Sequence, residues 1–474
     1  MSFATQLDAT ARSSASQSNI LTDGQFTVSY AALPGLLPTF ADYFARHGIE
    51  RKACLAVECP NSVPGALTLL YLFQQEMSFV LLPPSEQGEQ SSEWKPVSYF
   101  CQYRLVVKRA SADSDETWAH HPDDFLLLEA NPDYQPHFSL DLDAPGYLYL
   151  RTSGSMGASK LVVHTHTTML NNAQGCVTEY RYTSADRLAL PVPIAHMYGL
   201  GVGFLPAILA GASIDFVDQT NLFRYLAHEK NFNPTVALVT PTLVGILLKG
   251  FQTPRHYRLG ITATQRIPED AFRDFDAAIG GCFVNQLGSS EMGAIAVCAP
   301  EDDLAYKATT IGKPLPGVQL KVDENDELYC QHPAGFIGYV DERGQWLQRQ
   351  TPNDWFRTGD MARRLPNGYF QITGRAGNSM NRRGYLVQFA DIERQMEQIP
   401  GIVQVIVVGN GNTERITAYC VLRNQQLLTE SHIREKCFER LPHYAIPDAV
   451  LLLDALPLLP TGKVDRQRLT SMAR

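Results

Sequence analysis

Apolar residues recur at helical spacing from Tyr30 to Gly48 (Leu33, Leu36, Leu37, Phe40, Tyr43 and Phe44), and the run stops at Gly48, a residue type suited to a helix end. Ala53 to Val57 then reads as a buried strand, Asn61 to Gln75 as a helix and Phe79 to Pro83 as a second strand. Strands alternating with helices predict parallel βαβ units. Residues 101–145 are irregular and rich in Asp, Pro and His, and are predicted to be surface connections. Two short apolar runs, Gly146 to Leu150 and Leu161 to His164, predict strands flanking a small polar loop. Thr167 to Tyr180 suits a helix, Leu188 to Leu190 a strand, and Val236 to Lys249 a strand followed by a Leu-rich helix. Asn367 to Arg375 reads as a hairpin.

The pattern changes after Arg375. Leu386-Val387, Val403 to Val408, Ile416 to Leu422 and Val450 to Leu453 predict strands, with helices at Ala390 to Gln398 and His432 to Leu441. The expected fold class is α/β: a large N-terminal multi-subdomain lobe with βαβ sheets over 1–375, and a small mobile α+β C-terminal domain over 376–474.

With 474 residues, 45% of them hydrophobic, the chain has material for a large core and about three domain-sized units. A formal net charge of -9 argues against nucleic acid as a partner, because that binding needs a basic face. The first residues are polar and Ser/Ala-rich, so no signal peptide is expected, and no apolar run is long enough to span a membrane. The nine cysteines are scattered and odd in number with no C-x-x-C pair, which predicts reduced core thiols in a cytoplasmic protein.

The chemistry centres on Thr152-Ser153-Gly154-Ser155-Met156-Gly157-Ala158-Ser159-Lys160. Small residues let backbone N–H groups approach a ligand, and the hydroxyls and ammonium match phosphate oxygens. It is not a Walker A loop, which needs Gly-Lys-Ser/Thr after four residues. By itself the loop suits a polyphosphate or a solvated turn. Ser289-Ser290-Glu291 alone suits a helix start, Thr358-Gly359-Asp360 alone a turn, and His196 alone a helix cap.

The order Thr-Ser-Gly-Ser-x-Gly-x-x-Lys resembles the phosphate-binding signature of the adenylate-forming superfamily: acyl- and aryl-CoA ligases, adenylation domains of peptide synthetases, and luciferases. Three further stretches resemble that family's motifs in family order: Gln286-Leu287-Gly288-Ser289-Ser290-Glu291, Phe356-Arg357-Thr358-Gly359-Asp360, and Pro460-Thr461-Gly462-Lys463-Val464-Asp465-Arg466. The resemblance implies ATP-dependent activation of a carboxylic acid to an acyl-AMP, then transfer to the thiol of coenzyme A or of a carrier-protein phosphopantetheine. It assigns Thr152, Ser153, Gly154, Ser155, Gly157 and Lys160 to the β- and γ-phosphates, and Glu291 to Mg²⁺. Ser290 is assigned to the α-phosphate, Leu287 and Gly288 to the adenine side, and Asp360, Ile372 and Arg375 to ribose or phosphate. Lys463 becomes the adenylation lysine.

The same resemblance places His196, Met197, Tyr198, Gly199, Thr240, Thr264, Gly288 and Ser289 around the acyl substrate, and Gly384 and Tyr385 along a thiol tunnel. Amino-acid activators carry an acid at the turn before the helix, to pair the substrate ammonium. Ile194, Ala195, His196 and Met197 include none, so an apolar aryl or acyl acid is expected. Arg382 and Arg383 suit either an acidic carrier protein or the coenzyme's phosphate, or a solvated surface. The stretch from Glu327 to Tyr339 is expected to be structural.

Several positions depart from the family pattern. Thr262 to Gln265 replace a Gly-rich turn, Leu287 an aromatic residue, Gly377 the hinge Asp, and Asn381 a Lys. They keep a second reading open, that of an impaired member acting as an acyl or carrier-protein binding partner. Intact Glu291, Asp360 and Lys463 favour the enzyme.

Overall fold

A computed structural model describes residues 2–84, 97–108, 118–136, 146–151, 160–217, 222–250, 255, 257–264, 266–376, 378–382, 385–410, 415–423, 428–459 and 463–473. The amphipathic run from Tyr30 becomes a short 3₁₀ turn and the helix Leu33–Arg46, whose apolar stripe from Leu33 to Phe44 is buried. The helix Val63–Gln74 is buried on nearly every face, which explains why its pattern lacks a polar side. Ser62 caps it by accepting a hydrogen bond from the Gly65 N–H at 3.2 Å.

Among the described residues, two large sheets carry the N-terminal part. One has a parallel centre in the order Ser213–Phe216, Arg187–Leu190, Val236–Val239, Leu259–Thr262 and Phe283–Ser289. The other sets Cys54–Glu58 between Ser78–Leu82 and Tyr103–Val107, all parallel. Tyr103–Val107 and its antiparallel neighbour Leu126–Ala130 correct the expectation that residues 101–145 are only surface connections. Among the described residues only one side of Leu126–Ala130 is paired, as befits an edge strand. A third sheet pairs Glu327–Gln331 with Phe356–Arg364, and Phe356–Arg364 with Phe370–Arg375. One continuous core joins these layers, running from Phe3 to Phe370; each fully buried Leu or Phe in it contributes about 1.5–3 kcal/mol relative to exposure.

Residues from Met380 onward build a separate core that includes Met380, Phe389, Ile392, Val407, Cys437 and Val450. Here the helix Phe389–Glu397 packs on a three-stranded sheet of Ile402–Asn410, Arg415–Leu422 and Ala449–Leu453. All nine cysteines are free thiols. No helix among the described residues is long and apolar enough to cross a membrane.

Candidate active site

Glu291 sits at the tip of the hairpin formed by Phe283–Ser289 and Gly293–Val297. The hairpin is held from three sides. The Met292 N–H donates to Ser289 Oγ at 3.0 Å, His164 Nε2 lies 2.8 Å from the Ser290 carbonyl, and the Phe336 N–H donates to the Glu291 carbonyl at 2.7 Å. Gly293 has φ +65°, and a Cβ there would lie 2.2 Å from Asn172 Oδ1, so only glycine fits. Burial pushes His164 down to about 4, so the imidazole is neutral and Nε2 carries the proton it donates to Ser290.

The Glu291 carboxylate accepts a hydrogen bond from Tyr339 Oη at 2.8 Å. The Lys160 ammonium lies 3.7 Å from the centre of the same ring. This arrangement follows from strand pairing: Gly338–Val340 runs antiparallel to Leu161–Thr165, which begins just after Lys160, and sets Tyr339 opposite Val162. Tyr339 was expected to be structural; it is instead the bridge between Lys160 and Glu291. Burial, then the Glu291 charge, raises its pKa, so it remains a donor. Its strand is only three residues long and buried throughout, and the partner that positions it is remote in sequence.

Asp360 lies on the strand Phe356–Arg364, just after Gly359, which adopts φ +74°. It pairs with Arg375 directly: Arg375 Nε is 3.0 Å from Asp360 Oδ1, across neighbouring strands in register. The Lys463 ammonium joins this group, since its charge acts on Asp360 and His196, and those of Glu291, Asp360 and Arg375 act on it. Lys463 rides a short loop closed by the Leu458–Val464 bridge, and its carbonyl accepts the Leu459 N–H at 2.7 Å. The residue as a whole is exposed. Desolvation of the ammonium, then Arg375, lowers its pKa, while Glu291 and Asp360 oppose the shift. Burial likewise raises Asp360, against Arg375 and Lys463.

His196 precedes a π-helical turn, Tyr198–Phe204, a conformation often found at working sites. Asn61 fixes the approach to it. Its amide donates to the Leu190 and Val192 carbonyls at 2.9 and 3.1 Å, and its oxygen accepts the Ile194 N–H at 2.8 Å. A Cβ on Gly199 would meet the Pro193 carbonyl at 2.1 Å, so this turn too requires glycine. Met197 is buried, and Tyr198 Oη donates to the Ile261 carbonyl at 2.8 Å. Burial, then the Lys463 charge, depresses the His196 pKa.

The remaining predicted residues are more dispersed. Thr240 accepts the Leu243 N–H at 3.2 Å at the start of the helix Pro241–Gly250. Leu287 and Ile372 pack against the main core. Gly288 backs onto the Gly293 carbonyl, and Thr264 is exposed with φ +82°. Thr152, Ser153, Gly154, Ser155, Gly157, Gly377, Arg383 and Gly384 lie outside the described residues, while Tyr385 opens the strand Tyr385–Gln388. Arg382 is not a surface charge. It is buried, donates to the Ile446 carbonyl at 2.9 Å and pairs with Asp448 at 2.6 Å, so the acceptor-binding role considered for it is withdrawn. Three or more His, Cys, Asp or Glu residues do not cluster as a metal cage anywhere among the described residues.

Residues 5–347 match the AMP-binding enzyme family, and residues 391–463 match the AMP-binding enzyme C-terminal domain. A sulfoacetate–CoA ligase from Cupriavidus necator is 27% identical over 70% of the chain. A malonate–CoA ligase from Arabidopsis thaliana is 26% identical over 69%. The matches span 68% and 60% of those relatives' own lengths. The crystal structure of ATP-bound MatB from Rhodopseudomonas palustris superposes with a TM-score of 0.78 at 21% identity, covering 99% of this chain and 98% of that one, and so shares the fold.

Proposed function

The chain belongs to the AMP-binding enzyme family, and from that premise we propose that it activates a carboxylic acid with ATP and passes the acyl group to a thiol. The observation that carries this reading is the Asp360–Arg375 pair, held at 3.0 Å, together with the oriented Glu291 carboxylate, within whose electrostatic reach Lys463 lies.

A carboxylate attacking the α-phosphate of ATP brings two anions together, and the barrier falls where positive charge is held between them. Lys463 supplies that charge from outside the strand-borne site. The attacking oxygen forms the bond to phosphorus as the bond to pyrophosphate breaks, so positioning and electrostatics suffice and no protein nucleophile is required. Asp360 and Arg375 form a paired edge suited to the ribose hydroxyls. Ser290 and the loop from Thr152 to Lys160 take the phosphates.

The donor set suits a Mg²⁺ ion that arrives on the nucleotide, because Glu291 stands as a single oriented carboxylate instead of part of a cage. When bound, the ion would neutralise charge on the pyrophosphate. The turn from Ile194 to Met197 carries no acid to pair a substrate ammonium, which favours an apolar aryl or acyl substrate. Coenzyme A is the acceptor the ligase relatives suggest; a carrier-protein phosphopantetheine presents the same thiol. We place the boundary of the mobile C-terminal domain at Arg375 to Asn378, and its rotation would exchange Lys463 for the thiol path beside Gly384 and Tyr385.

ATP–pyrophosphate exchange against benzoates, cinnamates, fatty acids and amino acids tests the reading. Exchange with an apolar acid is expected. A silent panel from protein that binds ATP would overturn it.

A further inference from the structure

The adenylation lysine is seated by a helix with an acid at each of two sites. In the helix Phe389–Glu397, Glu393 and Glu397 lie one turn apart, and both carboxylates are largely buried. Glu393 holds the C-terminal segment. Its Oε1 accepts from Arg466 Nη2 at 2.8 Å and from the Val407 N–H at 2.9 Å, and Arg466 lies three residues beyond Lys463. Glu397 points the other way along the chain and pairs with Arg266, which leaves the turn after the strand Leu259–Thr262.

That turn is itself constrained. Thr264 adopts φ +82°, a left-handed conformation that a β-branched residue rarely takes and that surrounding structure must hold in place. Two ion pairs on one helix therefore tie the residues after the strand Leu259–Thr262 to the segment carrying Lys463: Arg266 to Glu397, and Glu393 to Arg466.

We propose that Arg266 is a positioning residue for acyl-adenylate formation: its ion pair with Glu397 clasps the C-terminal domain in the arrangement that delivers Lys463 to Glu291 and Asp360. This rests on the adenylation reading above. The Glu397 side chain is only 11% exposed while that of Arg266 keeps 31%, so removing Arg266 leaves Glu397 a charge largely stripped of water, and the closed arrangement loses its advantage.

The test uses the full chain with Arg266→Glu, Glu397→Arg and the double charge swap. Each single variant should lower kcat for pyrophosphate exchange about tenfold or more while the KM for ATP stays within about twofold, and the swap should recover most of the loss. Small-angle scattering, which needs no turnover, should show Arg266→Glu more extended than wild type and the swap compact again. Unchanged scattering in Arg266→Glu, or a swap no better than the single variants, overturns the clasp. Wild-type protein silent toward every acid, with clasp-dependent scattering intact, would instead overturn the ligase reading and leave the clasp standing.

Discussion

The acids of the site and the lysine that meets them are placed by different means. Asp360 and Arg375 ride on strands, and Glu291 on the turn between two strands, whose register is fixed by a continuous core from Phe3 to Phe370. Their spacing is a consequence of backbone hydrogen bonding, reinforced by groups such as His164 and Asn172 behind them. Lys463 sits on a short loop outside its own domain's core, and reaches the site only because that domain docks. The first arrangement is preorganised and costs nothing to reorder during reaction. The second is an equilibrium, and an equilibrium can be shifted without disturbing the scaffold.

The largest effect should come from removing the docked charge. Lys463→Ala is expected to lower pyrophosphate exchange by about a thousandfold, the upper range for loss of one preorganised positive group. Thioester formation from supplied acyl-adenylate and coenzyme A should survive. Normal exchange in this variant would remove Lys463 from the mechanism and erase the distinction between the two regions.

Acid should break the scaffold side. Burial holds His164 at about 4 and His166 at about 3, so both are neutral when folded, while a free histidine near 6.5 takes up a proton. Their contribution is complete above about pH 6.5 and is lost as pH falls toward those folded values. For His164 the linkage amounts to about 3 kcal/mol at most. All four tryptophans precede Arg375, so their fluorescence reports the first region alone. Tryptophan emission should shift in acid before far-UV circular dichroism is lost. Coincident transitions would mean that the two cores unfold as one unit.

Much of the site was legible because its motifs are local. Gly199 marks a place where backbone crowds backbone, and Gly293 a left-handed turn pressed against the Asn172 side chain. What escaped notice depends on pairing between distant stretches. Tyr339 looked like the end of a structural strand, and only its alignment with Val162 sets it between Lys160 and Glu291. Arg382, beside Arg383, looked like surface charge until Asp448 and two backbone carbonyls enclosed it. Tyr103–Val107 was hidden because polar neighbours diluted a strand whose burial comes from the rest of the sheet.

Tyr339 offers a smaller, sharper cut within the scaffold. Tyr339→Phe deletes the hydroxyl that orients Glu291 and keeps the ring beneath Lys160. About a tenfold loss of exchange is expected, the scale of one hydrogen bond to a charged group, with a higher requirement for Mg²⁺. Tyr339→Ala should cost more, because the seat for Lys160 goes as well. Equal losses in the two variants would mean that the ring does nothing for Lys160.

The finest test asks whether the docked lysine feels the scaffold's charges. Lys463 must be protonated to bridge two anions, so exchange should fall on the alkaline side as its proton leaves. Desolvation, then Arg375, holds its pKa below the ordinary lysine value, while Glu291 and Asp360 pull it back. Arg375→Gln removes the cationic push and keeps a polar side chain beside Asp360. The alkaline limb of the exchange profile should then move to higher pH, whatever happens to its height. Arg375→Lys retains the charge and should leave the limb nearer its original place. A limb that stays put in Arg375→Gln would mean that Lys463 is not the titrating group, or that docking keeps it farther from Arg375 than the closed arrangement places it.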